Sequence, residues 1–262
     1  MHEFNNNWLI QREKIDSLSR SKIAISKINN FIKNKDKISI IDLGCGTGSN
    51  YRYLSPKIKK KQSWDMLDIS LKSINYFKED ISKSKKVDNV KFIKTNVIKN
   101  IKKIDFNNYD IVTGSAFLDI MPNSWFRDFY NLNINSKIIY FSINYDGFFK
   151  FFPKHKDDGL VLKLFNSDQK SDKGIGLKAV GPNCSKIINS MFTKTHKTFI
   201  LKSDWKVENN KDFQLTFIKF CEDVVSKSNK NYKEWIHFRK DNILKNKSKI
   251  ILRNKDFLAL KF

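Results

Sequence analysis

Long apolar runs are absent from this chain of 262 residues. No window approaches the roughly 18 apolar residues that a helix needs to cross a bilayer, so no membrane partner is expected. The opening MHEFNNNWLIQREK has no basic stretch leading into an apolar one, so no signal peptide is read there and a cytoplasmic location is expected. Cysteine is scarce: Cys45, Cys184 and Cys221 are odd in number and far apart. That excludes a disulfide framework and paired metal-ligand spacing. His155, His196 and His237 are equally scattered, and no metal site is expected.

Arginine is scarce as well. Arg12, Arg20, Arg52, Arg127, Arg239 and Arg253 are the only six, so Lys supplies nearly all of the 50 basic residues. A net charge of +23 suits a nucleic-acid surface. Reading of base edges favours Arg forks, however, and here Lys is spread over every element and turn. Nucleic acid is therefore not the favoured partner and stays as an alternative. A general attraction for anionic substrates at low salt remains.

What is present is a core and an alternation. Hydrophobic residues make up 40% of the chain, ample for a domain of this size, which buries on the order of 75% of its unfolded surface. Apolar positions at helical spacing over 7–33 predict one or two leading helices. Strands are predicted at 37–43, 63–70, 90–97, 109–121 (passing into a loop) and 136–147. Helices are predicted between them at 49–58, 71–84 and 124–133. Such βαβαβ alternation requires a parallel sheet with helices on both faces. Beyond it lie an irregular stretch (148–183), a helix near 184–194, a strand at 197–207, helices over 211–245 and a last strand or strand pair at 248–262. No repeat or linker divides the chain.

The segment ISIIDLGCGTGSN (38–50) carries the chemistry. An apolar strand ends at Asp42, and Gly44, Gly46 and Gly48 follow. A phosphate loop needs G-x-x-x-x-G-K-[ST], and Lys is missing. A dinucleotide fingerprint needs Gly or Ala at position 49, which is Ser49. A plain tight turn is the bland alternative. The remaining pattern, strand, Asp, Leu, then G-x-G-x-G, resembles the first motif of class I S-adenosylmethionine-dependent methyltransferases.

The resemblance implies a Rossmann-like, doubly wound α/β fold: a mostly parallel seven-stranded sheet, helices on both faces and an antiparallel C-terminal strand. It implies S-adenosyl-L-methionine as cofactor, held by Asp42, Gly44, Cys45, Gly46, Gly48, Asn50, Asp68, Ile69, Asn96, Val97 and Ser115. Glycines let the backbone approach an adenosine closely. Asp42 would serve the methionyl ammonium. Asp68, about 20 residues past the glycines, can accept both ribose hydroxyls, with Asp65 as its rival. Asn96 stands where many members carry Asp toward the adenine amine, its carbonyl still able to accept. Ile69 and Val97 would sandwich the ring.

Enzymes that methylate base amines carry a [DNS]-P-P-[YF] box after the fourth strand, and Ser115-Ala116-Phe117-Leu118-Asp119 has none. The chain is more similar to an uncharacterised bacterial small-molecule-type branch over nearly its whole length. The shared stretches are 8–20 (WLIQREKIDSLSR), 110–119 (DIVTGSAFLD), 144–147 (NYDG), 165–176 (FNSDQKSDKGIG), 181–182 (GP), 203–205 (SDW) and 235–239 (WIHFR). His is usual there where this chain has Asp168.

The expected organisation is one methyltransferase domain over 1–262. It comprises an N-terminal helical cover (1–33), a cofactor-binding core (34–147), a substrate-side insertion (148–183) and the rest of the sheet and helices (184–262). Arg12, Asp16 and Arg20 share one helix face, where an Arg fork can hold a carboxylate. The acceptor site is expected to use Trp8, Arg12, Arg20, Asp119, Asn144, Gln169 and Lys173, with Tyr145 or Asp146 as the catalytic polar group or base. The expected activity is in-line methyl transfer to a small-molecule acceptor. The alternatives are an RNA or protein methyltransferase and a non-catalytic cofactor-binding subunit. The sequence does not name the acceptor or the oligomeric state.

Overall fold

The computed structural model describes residues 6–70, 86–132, 136–174, 176–228 and 230–262. The helix expected over 71–84 lies outside the described residues. Two helices lead, α1 (Asn6–Ser19) and α2 (Lys22–Phe31), followed by β1 (Lys37–Leu43), α3 (Ser49–Leu54), β2 (Lys61–Asp68), β3 (Val87–Lys94), β4 (Ile111–Ser115), α4 (Asn123–Asn131) and β5 (Ile138–Phe152). Then come α5 (Asp158–Gln169), α6 (Cys184–Phe192), β6 (His196–Lys202), β7 (Trp205–Val207), α7 (Lys211–Val225), α8 (Lys233–Leu244) and β8 (Lys249–Lys261).

The strand order is β3-β2-β1-β4-β5-β8-β6, with β7 also paired to β8. The ladders from β3 through β5 are parallel, and β8 runs antiparallel to β5, β6 and β7. This is the Rossmann-like, mostly parallel sheet with an antiparallel last strand. It has eight described strands rather than seven, because the strand expected over 197–207 is broken. Ser203 N donates to Asn254 O at 3.0 Å, and Asp204 Oδ1 accepts from Asn254 N at 3.2 Å. Those two bonds step the chain across Asn254, so β6 pairs with one end of β8 and β7 with the other.

Parallel strands covered on both faces read as continuous apolar runs, and β1 shows it: Ile38, Ile40, Ile41 and Leu43 are all buried. One core lies around Phe106, Trp125, Phe126, Phe129 and Phe141. Another lies around Ile28, Ile40, Tyr51 and Trp64. A third gathers Trp8, Phe149, Phe151, Phe165, Trp205, Phe217 and Trp235 under α7 and α8. The phenylalanines of 147–153 are thus divided. Phe149 and Phe151 fill that core, while Phe148 lies under the Arg253 guanidinium at 4.9 Å.

The stretch 148–183 is not irregular. It holds the end of β5 and helix α5, which buries Val161 and Phe165 one turn apart. The WIHFR segment on α8 closes this region. Buried Arg239 donates Nη1 to Pro153 O at 2.5 Å and Nη2 to Asp158, while Trp235 Nε1 donates to Asp158 Oδ1 at 2.8 Å.

β5 slips register twice against β8, between Phe141 and Asn144 and between Tyr145 and Phe149. Ile143 takes φ 55°, a costly conformation for a β-branched residue. Fully buried Asp256 holds it there by accepting from Ile143 N at 2.9 Å, and it also accepts from Tyr140 Oη at 3.0 Å and from Ser21 N at 2.9 Å. One carboxylate therefore ties the bulge, the sheet and the α1–α2 junction together. Asp256→Ala strands three buried donors, each costing about 1–3 kcal/mol. Urea unfolding should show a loss of about 3 kcal/mol or more. A loss under about 1 kcal/mol would mean that water or neighbours replace the carboxylate.

Candidate active site

The turn after β1 depends on its glycines. Gly44, Gly46 and Gly48 have φ of 66°, 51° and 84°, a region where a side chain is strained. A Cβ on Gly44 would also lie 2.8 Å from Phe117 Cδ2, and one on Gly46 would point toward Leu9 Cδ1 at 3.8 Å. The turn thus sits between the loop after β4 and helix α1.

β2 pins it from the side. Cys45 N donates to Leu67 O at 2.9 Å. Gly46 N donates to Asp68 Oδ2 at 2.8 Å, and Ser70 N donates to Asp68 Oδ1 at 2.9 Å. Asp68, at the tip of β2, therefore faces the glycine turn. Its rival Asp65 instead accepts from Tyr109 Oη at 2.6 Å.

A cleft opens above the carboxyl ends of the parallel strands. The turn, with Gly44, Cys45, Gly46, Thr47 and Ser49, forms one side. Asp68, Ile69 and Ser70 form the next, followed by Thr95, Asn96 and Val97. Ser115, Ala116 and Phe117 of the β4 end, with Ile120 and Met121, close the far wall, and Leu9 and Arg12 of α1 cover it. Asn96 Oδ1 accepts from Ile98 N at 3.0 Å and Lys99 N at 3.2 Å. Its carbonyl, expected to face a ligand, is engaged by its own turn.

Beneath the cleft runs a buried polar chain. Arg20 donates Nη1 to Asn50 Oδ1 at 2.6 Å and Nη2 to Ser115 Oγ at 2.9 Å, and its guanidinium lies 4.6 Å from the Tyr53 ring centroid. Asn50 Nδ2 donates to Asp42 Oδ1 at 2.8 Å and Thr113 Oγ1 at 3.1 Å. Asp42 is 0% exposed, and its Oδ2 has no partner. Burial pushes its carboxyl up to about 7, against the Asn50 hydrogen bond and the Arg20 charge that pull it down; the Asp68 charge adds to the rise. Neither Asp42 nor Arg20 is among the cleft walls, where a ligand's ammonium or carboxylate was expected to meet them.

The other expected residues divide sharply. Trp8 packs in the core against Trp205, Phe213 and Phe220, and Leu9 takes its place at the cleft. Asn144 is buried and plugs the first bulge, donating Nδ2 to Phe141 O and Lys255 O, both at 3.0 Å. The expected catalytic pair is committed elsewhere. Tyr145 donates Oη to Asn166 Oδ1 at 2.9 Å, and burial raises its hydroxyl above the usual tyrosine range. Asp146 is held by Arg253 and Lys255, both at 2.9 Å. Lys173 pairs with Asp168 at 2.8 Å, as does Lys227 at 3.1 Å, clipping the loop after α5. Gln169 packs its backbone under Gly181.

One feature went unread in the sequence. Arg52 on α3 forks onto Glu13 of α1, Nε to Oε1 at 2.7 Å and Nη2 to Oε2 at 2.6 Å, and donates Nη1 to Thr47 O at 2.7 Å. The covering helix is thereby fastened to the turn. The scarcity of arginine was the available signal, since Arg52 is one of only six.

Asp42 sets a pH dependence of stability. A carboxyl raised from 3.8 to about 7 in the fold favours folding when protonated, so stability falls as pH rises through that window. Asp42→Asn removes the effect. The unfolding free energy of the variant relative to wild type should therefore gain about 3 kcal/mol between pH 4 and pH 7.5, at ~1.4 kcal/mol per unit. Urea unfolding at both pH values measures this, and a constant difference would contradict it.

Residues 40–132 match the family described as methyltransferase domain. No curated protein matches the chain. Among solved structures, a cyclopropane-fatty-acyl-phospholipid synthase-like protein from Lactobacillus casei is 13% identical with a TM-score of 0.55, covering 97% of this chain and 92% of that one. The plantazolicin methyltransferase BpumL, in complex with SAH, is 15% identical with a TM-score of 0.49, covering 98% of this chain and 88% of that one. The first of these likenesses is one of fold. Over β1 to α4 the chain thus matches a methyltransferase domain, and within that span its glycine turn is faced by the acid at the tip of β2.

Proposed function

We propose that this cleft holds S-adenosylmethionine and that the acceptor of its methyl group is a small molecule. The observation that carries the reading is the roof: Leu9 and Arg12 of α1 form part of the cleft wall, and the Glu13–Arg52 fork fastens that helix to the glycine turn. A site roofed by its own helix suits a ligand that is enclosed whole. When bound, S-adenosylmethionine supplies a methyl group on a sulfonium, open to in-line displacement.

The residues fit that ligand. Each oxygen of Asp68 accepts one backbone N–H. A carboxylate oxygen can accept more than one hydrogen bond, and this is the kind of group that takes the ribose hydroxyls. Ile69 and Val97 offer apolar faces for the adenine. The side-chain-free backbone at Gly44 and Gly46 admits the methionyl portion, with Ser115 at the far wall. Asp42, Asn50 and Arg20 act from below, by fixing the turn and the end of β4. The chain's contribution to rate is mainly alignment, which supplies roughly 7–11 kcal/mol when the reacting atoms are held at about 3–3.5 Å. One domain over 1–262 and a cytoplasmic location belong to the same proposal.

A second reading, RNA or protein as acceptor, has one observation in its favour, the net charge of +23. Binding to generic RNA that falls steeply with salt would support it; no binding at low salt would remove it.

Charge-assisted hydrogen bonds of the kind assigned to Asp68 contribute roughly 1.5–3 kcal/mol. Asp68→Ala should therefore weaken S-adenosylhomocysteine binding about tenfold or more in calorimetry. Unchanged affinity would show that the ribose lies elsewhere.

A further inference from the structure

Two charged groups are left unassigned by the cofactor fit: Arg12 in the cleft wall, and Asp119 on the turn just behind it. Arg12 lines the cleft from α1. Its Nε donates to Asp16 Oδ2 at 2.8 Å, and its guanidinium lies 5.4 Å from the Trp205 ring centroid. Asp16 is itself buried. A guanidinium fixed at its Nε edge and backed by an indole presents its Nη edge in one orientation. Among the described residues, that edge makes no hydrogen bond of its own, whereas both Nη groups of Arg20 and of Arg52 donate.

Asp119 lies on the 3-10 turn Leu118–Ile120, between the cleft residues Phe117 and Ile120. It is buried, and its Oδ1 has no partner. Three donors converge on buried Asp256, whereas Asp119 meets only the backbone N–H groups of Asp119 and Tyr145 and leaves Oδ1 without a partner, which is costly for a buried oxygen. Burial pushes its carboxyl up to about 6, while the N–H groups of Asp119 and Tyr145 and the charges of Arg12 and Lys173 pull it down. The groups facing it are thus Arg12 from α1, Lys173 from the loop after α5, Tyr145 from β5 and the neutral Cys184 thiol from α6, which the Asp119 charge raises further after burial.

We propose that Arg12 and Asp119 form the acceptor-recognition pair: the Nη edge of Arg12 takes an anionic group, and Asp119 accepts the N–H or O–H of the nucleophilic atom and then its proton. The proposal rests on the small-molecule reading of the cleft and names its substrate class, a small molecule bearing a carboxylate or phosphate together with an amine or hydroxyl. As the nucleophile's lone pair forms its bond to the methyl carbon, the sulfur–methyl bond breaks with its electron pair left on sulfur. The proton leaves the nucleophile for the Asp119 carboxylate. Asp119 must be ionised to receive it, so the rate rises with pH through about 6.

The test uses the full chain with methyl-labelled S-adenosylmethionine and small metabolites fractionated into anionic, neutral and cationic pools, with the labelled product identified by mass spectrometry. Label should enter a molecule with an acidic group, on its nitrogen or oxygen. With that molecule as substrate, Arg12→Ala should raise KM about tenfold or more with little change in kcat. Asp119→Asn should lower kcat about 100-fold or more and abolish the acidic limb of the pH profile. Asp119→Asn should bind S-adenosylhomocysteine as wild type does, which also reports that it folds, and circular dichroism with a cooperative thermal transition reports the fold of Arg12→Ala. A labelled product without an acidic group overturns the pair and leaves small-molecule methylation standing, whether or not either variant folds. Folded variants with wild-type KM and pH profile do the same. Label found only on macromolecules, or on nothing although S-adenosylhomocysteine binds, removes the small-molecule reading and the pair with it.

Discussion

The hydrogen bond from Gly46 N to the Asp68 carboxylate, at 2.8 Å, joins the tips of two adjacent parallel strands. It explains why the turn after β1 can adopt three left-handed glycines in five residues and still hold one shape. The strands cannot drift apart, because β1 and β2 pair through seven residues up to Leu43 and Leu67. Every other wall of the cleft is placed relative to that corner. Phe117 comes close enough to Gly44 to forbid a Cβ, and α1 lies over Gly46 with Leu9.

The cover is held by arginine chemistry of two kinds. Arg52 donates from all three of its side-chain nitrogens at a partly exposed site, bridging Glu13 and the Thr47 carbonyl. Arg20 works in the interior, and its bonds to buried Asn50 and to Ser115 at the cleft wall set the orientation of both groups. Exposed ion pairs contribute about 0–1 kcal/mol, so the role of the fork is geometric more than energetic. The buried chain carries a real cost, visible in the Asp42 carboxyl that burial lifts to about 7. Stability is given up there to fix the turn from below.

Much of this was legible in the sequence where local chemistry dictates the pattern. Positive φ requires glycine, so Gly44, Gly46 and Gly48 announced the turn. A carboxylate at a strand tip announced Asp68. Uninterrupted apolar runs announced the parallel strands. What could not be read depends on pairings between distant residues. The Glu13–Arg52 fork spans 39 positions, and the Arg20–Ser115 bond spans 95. Tyr145 and Asp146 were expected at the reaction site because they follow the fifth strand. Two register slips in β5 intervene, and each shifts which face a side chain takes, so position along the strand was no guide to direction. Helix α5 was missed for a plainer reason: Gly159 near its start and a mixed polar surface weaken its period.

The central claim is that the glycine turn and the acid facing it enclose an adenosyl sulfonium. Isothermal titration of the full chain with S-adenosylmethionine, and separately with S-adenosylhomocysteine, tests it directly. Saturable one-to-one binding of both ligands is the predicted result. No heat and no saturation with either ligand at millimolar concentration would contradict it.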